Sequence, residues 1–200
     1  MLNMQFQQRL VIESQAQKWQ TSPSPLVYRK PLEREAKESG HTTSIVKYEA
    51  NAHFASHPHP KGEEIFVLEG TFNDEYGDYP AGSYLRNPAN TQHSPHSVTG
   101  CTLFVKLNQF QQGDQQAVNI NTQTRDWLLG IGGLQVMPLH EFEGEHTALV
   151  KWPAGEHFQP HRHFGGEEIL VLEGEFRDEP GVYPKHTWLR SPHMSEHNPY

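Results

Sequence analysis

Apolar residues along the chain fall in short runs of four to eight, each closed off by Gly, Pro, Asn or Asp. Thr43–Tyr48, Glu64–Glu69, Gly82–Arg86 and Cys101–Leu107 are the clearest. Runs of that length bounded by breakers predict strands. Asp78-Tyr79-Pro80-Ala81-Gly82 and Asn87-Pro88-Ala89-Asn90 carry turn chemistry between them. Many short strands at regular spacing predict an all-β sandwich or barrel, because closure removes exposed sheet edges. No run of eighteen apolar residues occurs, so no membrane-spanning helix is expected.

The pattern repeats. Shifting the sequence by 104 residues aligns Lys47–His96 with Lys151–Tyr200 without a gap, and half of the aligned positions are identical. The strongest block is Gly62-Glu63-Glu64-Ile65-Phe66-Val67-Leu68-Glu69-Gly70 against Gly166-Glu167-Glu168-Ile169-Leu170-Val171-Leu172-Glu173-Gly174. Upstream, Thr43-Ser44-Ile45-Val46 fits Thr147-Ala148-Leu149-Val150, and Pro31-Leu32 fits Pro138-Leu139. Two tandem domains of one fold follow, at residues 1–115 (with an N-terminal strand) and 116–200. The polar stretch Asn108–Thr122 reads as a spacer between them. The second copy has no counterpart of the Cys101–Leu107 run. Gln8–Glu13, with Arg9-Leu10-Val11-Ile12, is a candidate strand to pair within the chain or with a second subunit.

Charge and composition narrow the class. Net charge is −8 at a pI near 5.9, which argues against nucleic acid or an anionic membrane as partner. Met1–Leu10 lacks the basic start and apolar core of a signal peptide, so a cytoplasmic protein is expected. Cys101 is the one cysteine and excludes internal disulfides and zinc ribbons. The outlier is histidine, with fourteen residues against sixteen Lys and Arg together, and histidine is the commonest metal ligand.

The positions of the histidines sharpen this. His57 and His59 flank Pro58, and side chains two apart in a strand share a face. Four residues after His59 comes Glu63, and thirty residues after that His93. The second copy holds His161, His163, Glu167 and His197 at the same spacings, although about half of the positions around them have changed. Three imidazoles and one carboxylate suit a divalent ion and leave one or two positions open to water or a small-molecule ligand. Zinc, Fe(II), Mn(II), Ni(II) and Co(II) all accept that set.

These spacings resemble a known family. Asn51-(five)-His57-Pro58-His59-(three)-Glu63-(six)-Gly70 and Gly155-(five)-His161-Arg162-His163-(three)-Glu167-(six)-Gly174 resemble the first cupin motif. Gly82-(five)-Pro88 through His93 resembles the second, as does His186-(five)-Pro192 through His197 without its glycines. The wider sequence is similar to the cupin-like domain of ChrR anti-sigma factors. That resemblance implies two jelly-roll barrels related by internal duplication, the eight ligands above, and zinc as the ion. It also implies a regulatory or sensory module in transcription regulation that acts through a protein partner, with a homo-oligomer expected. The separate N-terminal helical domain with its CxxC zinc site, which carries anti-sigma activity in that family, has no match here. The alternative from a different class is a metal-dependent enzyme, a non-haem iron dioxygenase or a manganese decarboxylase.

Other recurring residues have plainer readings. Glu64 and Glu168 alternate away from the ligands and are expected in salt bridges. Arg86 and Arg190 are expected to pair with Glu69/Glu173 or Asp74/Asp178. His96 becomes Tyr200, so no shared role is expected there, and Cys101 is expected to be buried.

Overall fold

A computed structural model describes all of residues 1–200. It is built almost entirely of strands, with a single three-residue helical turn at Ser14–Ala16. No helix is long and apolar enough to cross a membrane. The chain divides into two units. One comprises Met1–Leu2, Trp19–Asp126 and Met137–Leu149, and the other Asn3–Lys18, Trp127–Val136 and Val150–Tyr200.

In the first unit the sheet order runs Val118–Asn121, Ser83–Asn87, Glu63–Asp74, Cys101–Leu107, Thr42–Tyr48, Val27–Arg34, Gln20–Thr21. The antiparallel register Cys101↔Tyr48 through Leu107↔Thr42 puts Leu103 and Val105 on the inner face. There they join Ile65, Val67, Phe72, Leu85 and Tyr48 in one core. Each such side chain contributes on the order of 1.5–3 kcal/mol by leaving water, so alternation alone suffices to fix the register. Cys101 belongs to this core, and burial pushes its thiol up to about 11.

The twelve-residue strand Glu63–Asp74 serves two sheets. Its first half pairs with Ser83–Asn87 and Cys101–Leu107. Its second half pairs with Gly77–Pro80 and touches His96. The change of sheet occurs at Gly70, which has a φ of 72°. A Cβ there would sit 2.1 Å from the Gly100 carbonyl oxygen, so only glycine fits.

The second unit repeats this frame with a strand from the chain's start. Leu10–Glu13 pairs with Thr187–Ser191, which pairs in turn with Glu167–Leu170. In the first unit Val118–Asn121 holds the equivalent place beside Ser83–Asn87. The stretch Asn108–Thr122 is therefore more than a spacer. A short repeat marks it, Gln5-Phe6-Gln7-Gln8 against Gln109-Phe110-Gln111-Gln112. Phe110 lies 3.9 Å from the Arg86 guanidinium and Phe6 lies 4.5 Å from that of Arg190. The core of the second unit gathers Val171, Tyr183 and Leu189, with Ile169 and Phe176 against them.

Candidate metal centres

In the first unit the short strand His57–Pro58 pairs with Gln92–His93, which sets His93 directly across from His57. The chain then turns at Pro60-Lys61-Gly62. His59 O accepts from Asn90 N and, at 3.4 Å, from Gly62 N, and Glu63 opens the long strand. Gly62 has a φ of 79°, and a Cβ there would run into the Phe110 ring at 2.4 Å. Phe110 thus backs the turn that presents Glu63. The result brings His57, His59, Glu63 and His93 together, with their donor atoms all within 4.8 Å of one another.

The tautomers follow from the surrounding acceptors. His57 Nδ1 faces the Ala55 carbonyl oxygen at 3.0 Å, which can only accept. His59 Nδ1 faces Thr91 Oγ1 at 3.0 Å, and that hydroxyl already donates to Pro88 O. His93 Nδ1 faces Asp74 Oδ2 at 3.1 Å. Each ring therefore turns its Nδ1 outward to an acceptor and its Nε2 inward, the arrangement a metal-bound histidine takes. Nε2 of His59 and of His93 is buried with no hydrogen-bond partner. They lie 3.3 and 3.2 Å from Glu63 Oε2. Donors about 2.0–2.2 Å from a shared tetrahedral or octahedral ion stand about 3.0–3.4 Å apart, so the group fits a divalent cation.

The second unit builds the same group on His161–His163 paired with Ser195–His197. His163 Nε2 lies 3.0 Å from His197 Nε2, and the Glu167 oxygens stand 3.5 Å from those nitrogens. His161 Nδ1 donates to Gln159 O, and His197 Nδ1 faces Asp178 Oδ2. Glu167 Oε2 is buried without a partner. All eight residues singled out in the sequence thus fall into two groups of four.

The surroundings differ between the two. Glu63 accepts a hydrogen bond from Asn87 Nδ2 at 3.0 Å, and Ser191 stands at the equivalent position in the second copy. Burial alone would raise the Glu63 carboxyl, but His93, His59 and Asn87 outweigh it and hold the group at about 2. Glu167 is instead raised to about 7 by burial and by Asp178, against a smaller opposing effect of Arg9. Burial, with His161 and His197 beside it, lowers His163 to about 4. Burial also works against a charged His93, yet the Asp74 and Glu63 carboxylates prevail and push it up to about 9.

A pH prediction follows for chelator-stripped protein. The folded-state value of His93 lies above the ordinary value of about 6.5. Its ion pairs therefore stabilise fully below about pH 6.5, and that contribution is lost as pH rises through about 9. Metal affinity at this centre moves the opposite way, because the ion must displace that proton, and gains up to about tenfold per pH unit over the same window. Unfolding midpoints of stripped protein and zinc titrations, both run from pH 6.5 to 9, check the two slopes. Parallel slopes would refute the assignment.

Several neighbours differ from expectation. Arg86 pairs with Glu64 at 3.2 Å and with Asp114, rather than with Glu69 or Asp74. Asp74 and Asp178 are instead the acceptors that orient His93 and His197. Their recurrence in Asp-Glu-x-Gly-x-Tyr-Pro was the available signal. His96 and Tyr200 do share a role, since His96 stacks on His53 at 5.5 Å and Tyr200 on His157 at 5.7 Å. Glu168 accepts from Trp188 Nε1 at 2.7 Å.

The family model of the ChrR cupin-like domain matches residues 7–111 and 115–200. The chain belongs to this family. Solved structures similar to it include a candidate dioxygenase from Nostoc punctiforme, 16% identical, with a TM-score of 0.77 over 96% of this chain and 78% of that one. A candidate glyoxylate-induced protein from Pseudomonas aeruginosa is 14% identical, with a TM-score of 0.76 over 96% and 83%. Protein Ylba from E. coli is 13% identical, with a TM-score of 0.72 over 100% and 88%. At these identities the likeness establishes a double-barrel cupin fold. No curated protein sequence matches the chain.

Proposed function

We propose that the chain is a divalent-metal-binding bicupin with a regulatory or sensory task. His57, His59, Glu63 and His93 hold one ion, and His161, His163, Glu167 and His197 hold a second. The observation that carries this is the convergence of the inward Nε2 atoms and one carboxylate, with every outward nitrogen of the first centre already committed to an acceptor. Zinc is the ion that the resemblance to ChrR cupin-like domains implies, and Fe(II), manganese or nickel would suit the same donors. The bound ion supplies Lewis acidity and an open position for water or a small molecule.

The first centre favours a module over an enzyme because its proton-moving groups are occupied. Asp74 accepts from the backbone of Tyr76 and Gly77, from the Tyr79 hydroxyl and from His93. Thr91 bridges Pro88 and His59. Each is thus engaged in orienting an imidazole of the group rather than set aside for proton transfer. A protein partner would then read the loaded state. The second centre favours the alternative reading of a metal-dependent dioxygenase or decarboxylase, because it is more open. The side chains of Glu167 and His163 are 23% and 19% exposed, against 6% and 1% for Glu63 and His59.

The deciding experiment is metal analysis of untagged protein purified without chelator, paired with oxygen uptake in the presence of diketones or flavonols and carbon dioxide release from oxalate. Near-stoichiometric zinc without turnover is expected. Iron or manganese with substrate-dependent turnover would overturn the sensory reading in favour of the enzyme.

A further inference from the structure

We propose that the first unit carries a binding site for a guanidinium group beside Asp74, the vacant counterpart of a place that the chain fills with its own Arg9 in the second unit. In the second unit Arg9 Nη2 lies 2.7 Å from Asp178 Oδ2 and 2.8 Å from the Tyr183 hydroxyl oxygen. Its guanidinium also lies 5.3 Å from the centre of the Tyr183 ring. Asp178 is fully buried and Tyr183 is 5% exposed, so this is a built site.

The strand registers identify the equivalent position. Leu10 pairs with Arg190, and Val118 pairs with Arg86. Positions 86 and 190 coincide in the 104-residue repeat, so Arg9 corresponds to Ala117. Where the second unit has a long cation, the first has a methyl group. A cavity of about 240 Å³ occupies the space. Asp74, Tyr79 and Ala117 line it, the counterparts of Asp178, Tyr183 and Arg9, with Tyr76, Asn87 and Asn119 also contributing to its wall. Asn119 and Tyr76 are exposed, so it opens to solvent. A volume of this size suits a side-chain-sized group rather than a large cofactor.

The donors and acceptors match the guest. Asp178 Oδ2 accepts from both His197 and Arg9. Asp74 Oδ2 accepts from His93 alone, which leaves room for one more donor. The Tyr79 hydroxyl donates to Asp74 Oδ1 and keeps its acceptor side free, as the Tyr183 hydroxyl does while it receives Arg9. Arg86 also borders the cavity, but its charge is met by Glu64 and Asp114. A planar fork of N–H donors reaches the carboxylate and the phenol oxygen together, which an ammonium cannot do as well.

The guest is a free guanidinium compound or an arginine side chain offered by a polypeptide. Because Asp74 Oδ2 would be shared between the guest and His93, occupancy would adjust the first metal centre. That coupling rests on the proposed metal function, whereas the binding site itself does not.

The test is an NMR titration of the full, chelator-stripped chain with methylguanidinium, read at the amides of Tyr76, Gly77 and 117–119. Saturable binding of one equivalent, in the millimolar range expected of so small a ligand, is the predicted result, with methylammonium at least several-fold weaker. Ala117→Arg should fill the cavity and abolish binding, and Arg9→Ala should open a second site and raise the stoichiometry to two. N-acetylarginine methylamide binding more tightly than methylguanidinium would assign the guest to a polypeptide, and the reverse to a free compound. No saturable binding in the parent chain, or unchanged binding in Ala117→Arg, overturns the proposal. A parallel Co(II) titration in a His161→Ala/His163→Ala background should give an altered first-centre affinity when methylguanidinium is present. An unchanged affinity would refute the coupling while leaving the site intact, and absent Co(II) binding would count against the metal reading alone.

Discussion

Replacing His57 and His59 together by alanine is expected to halve the metal content, from two ions per chain to one. Two of four donors vanish from the first group, and the remaining Glu63 and His93 cannot close a four-donor site. A divalent ion held by imidazole and carboxylate donors depends on ligand number and geometry, and even a single supporting contact outside the ligands is worth about 10–100-fold in affinity. Loss of two ligands should therefore exceed that range. His161, His163, Glu167 and His197 are untouched and should stay loaded. Native mass spectrometry counts the ions per chain directly, and two retained ions would remove His57 and His59 from the ligand set.

The largest stability effect is expected at Arg86. Its side chain is 1% exposed and serves Glu64 and Asp114 at once, with the Phe110 ring 3.9 Å away. Asp114 is 2% exposed, and apart from Arg86 its nearest ionisable contact is His140 at 3.3 Å. Burial lowers His140 below its ordinary value, and that cause persists without Arg86, which makes His140 a poor substitute counter-ion. Arg86→Met thus leaves a buried carboxylate without its partner, at a cost of about 3–5 kcal/mol. Urea unfolding should show a lower midpoint at unchanged slope. The double variant Arg86→Met/Asp114→Leu should recover most of the loss, since removing both charges removes the burial problem. A double variant as unstable as the single one would attribute the cost to lost packing instead.

The grouping of the candidate ligands was legible in the sequence because most of them sit at short, fixed separations. His-x-His places two rings on one face of a strand, and the next turn is too short to let Glu63 stray. The internal repeat then displayed the same four residues twice. The fold was legible for a related reason, since strands such as Cys101–Leu107 alternate cleanly between core and solvent.

What the sequence hid depends on contacts distant along the chain. Asp74 orients His93 across nineteen residues, and only its recurrence as Asp178 in the second copy separates it from a surface carboxylate. Arg86 finds Asp114 rather than Asp74 because the stretch after Phe110 folds back onto the Ser83–Asn87 strand. The role of Leu10–Glu13 in the second unit was left open between pairing within the chain and pairing with another subunit. Gln5-Phe6-Gln7-Gln8 against Gln109-Phe110-Gln111-Gln112 was the signal that resolves it, since both copies end with an aromatic ring on a buried arginine.

The central claim is that each unit holds one divalent ion between three imidazole Nε2 atoms and one carboxylate. Anomalous diffraction from crystals of the metal-loaded protein tests it most directly. The account predicts two peaks per chain, one about 2.0–2.2 Å from Nε2 of His57, His59 and His93 and a carboxylate oxygen of Glu63, and the other placed likewise among His161, His163, His197 and Glu167. Peaks bound elsewhere, or loaded crystals with density at neither group, would contradict it.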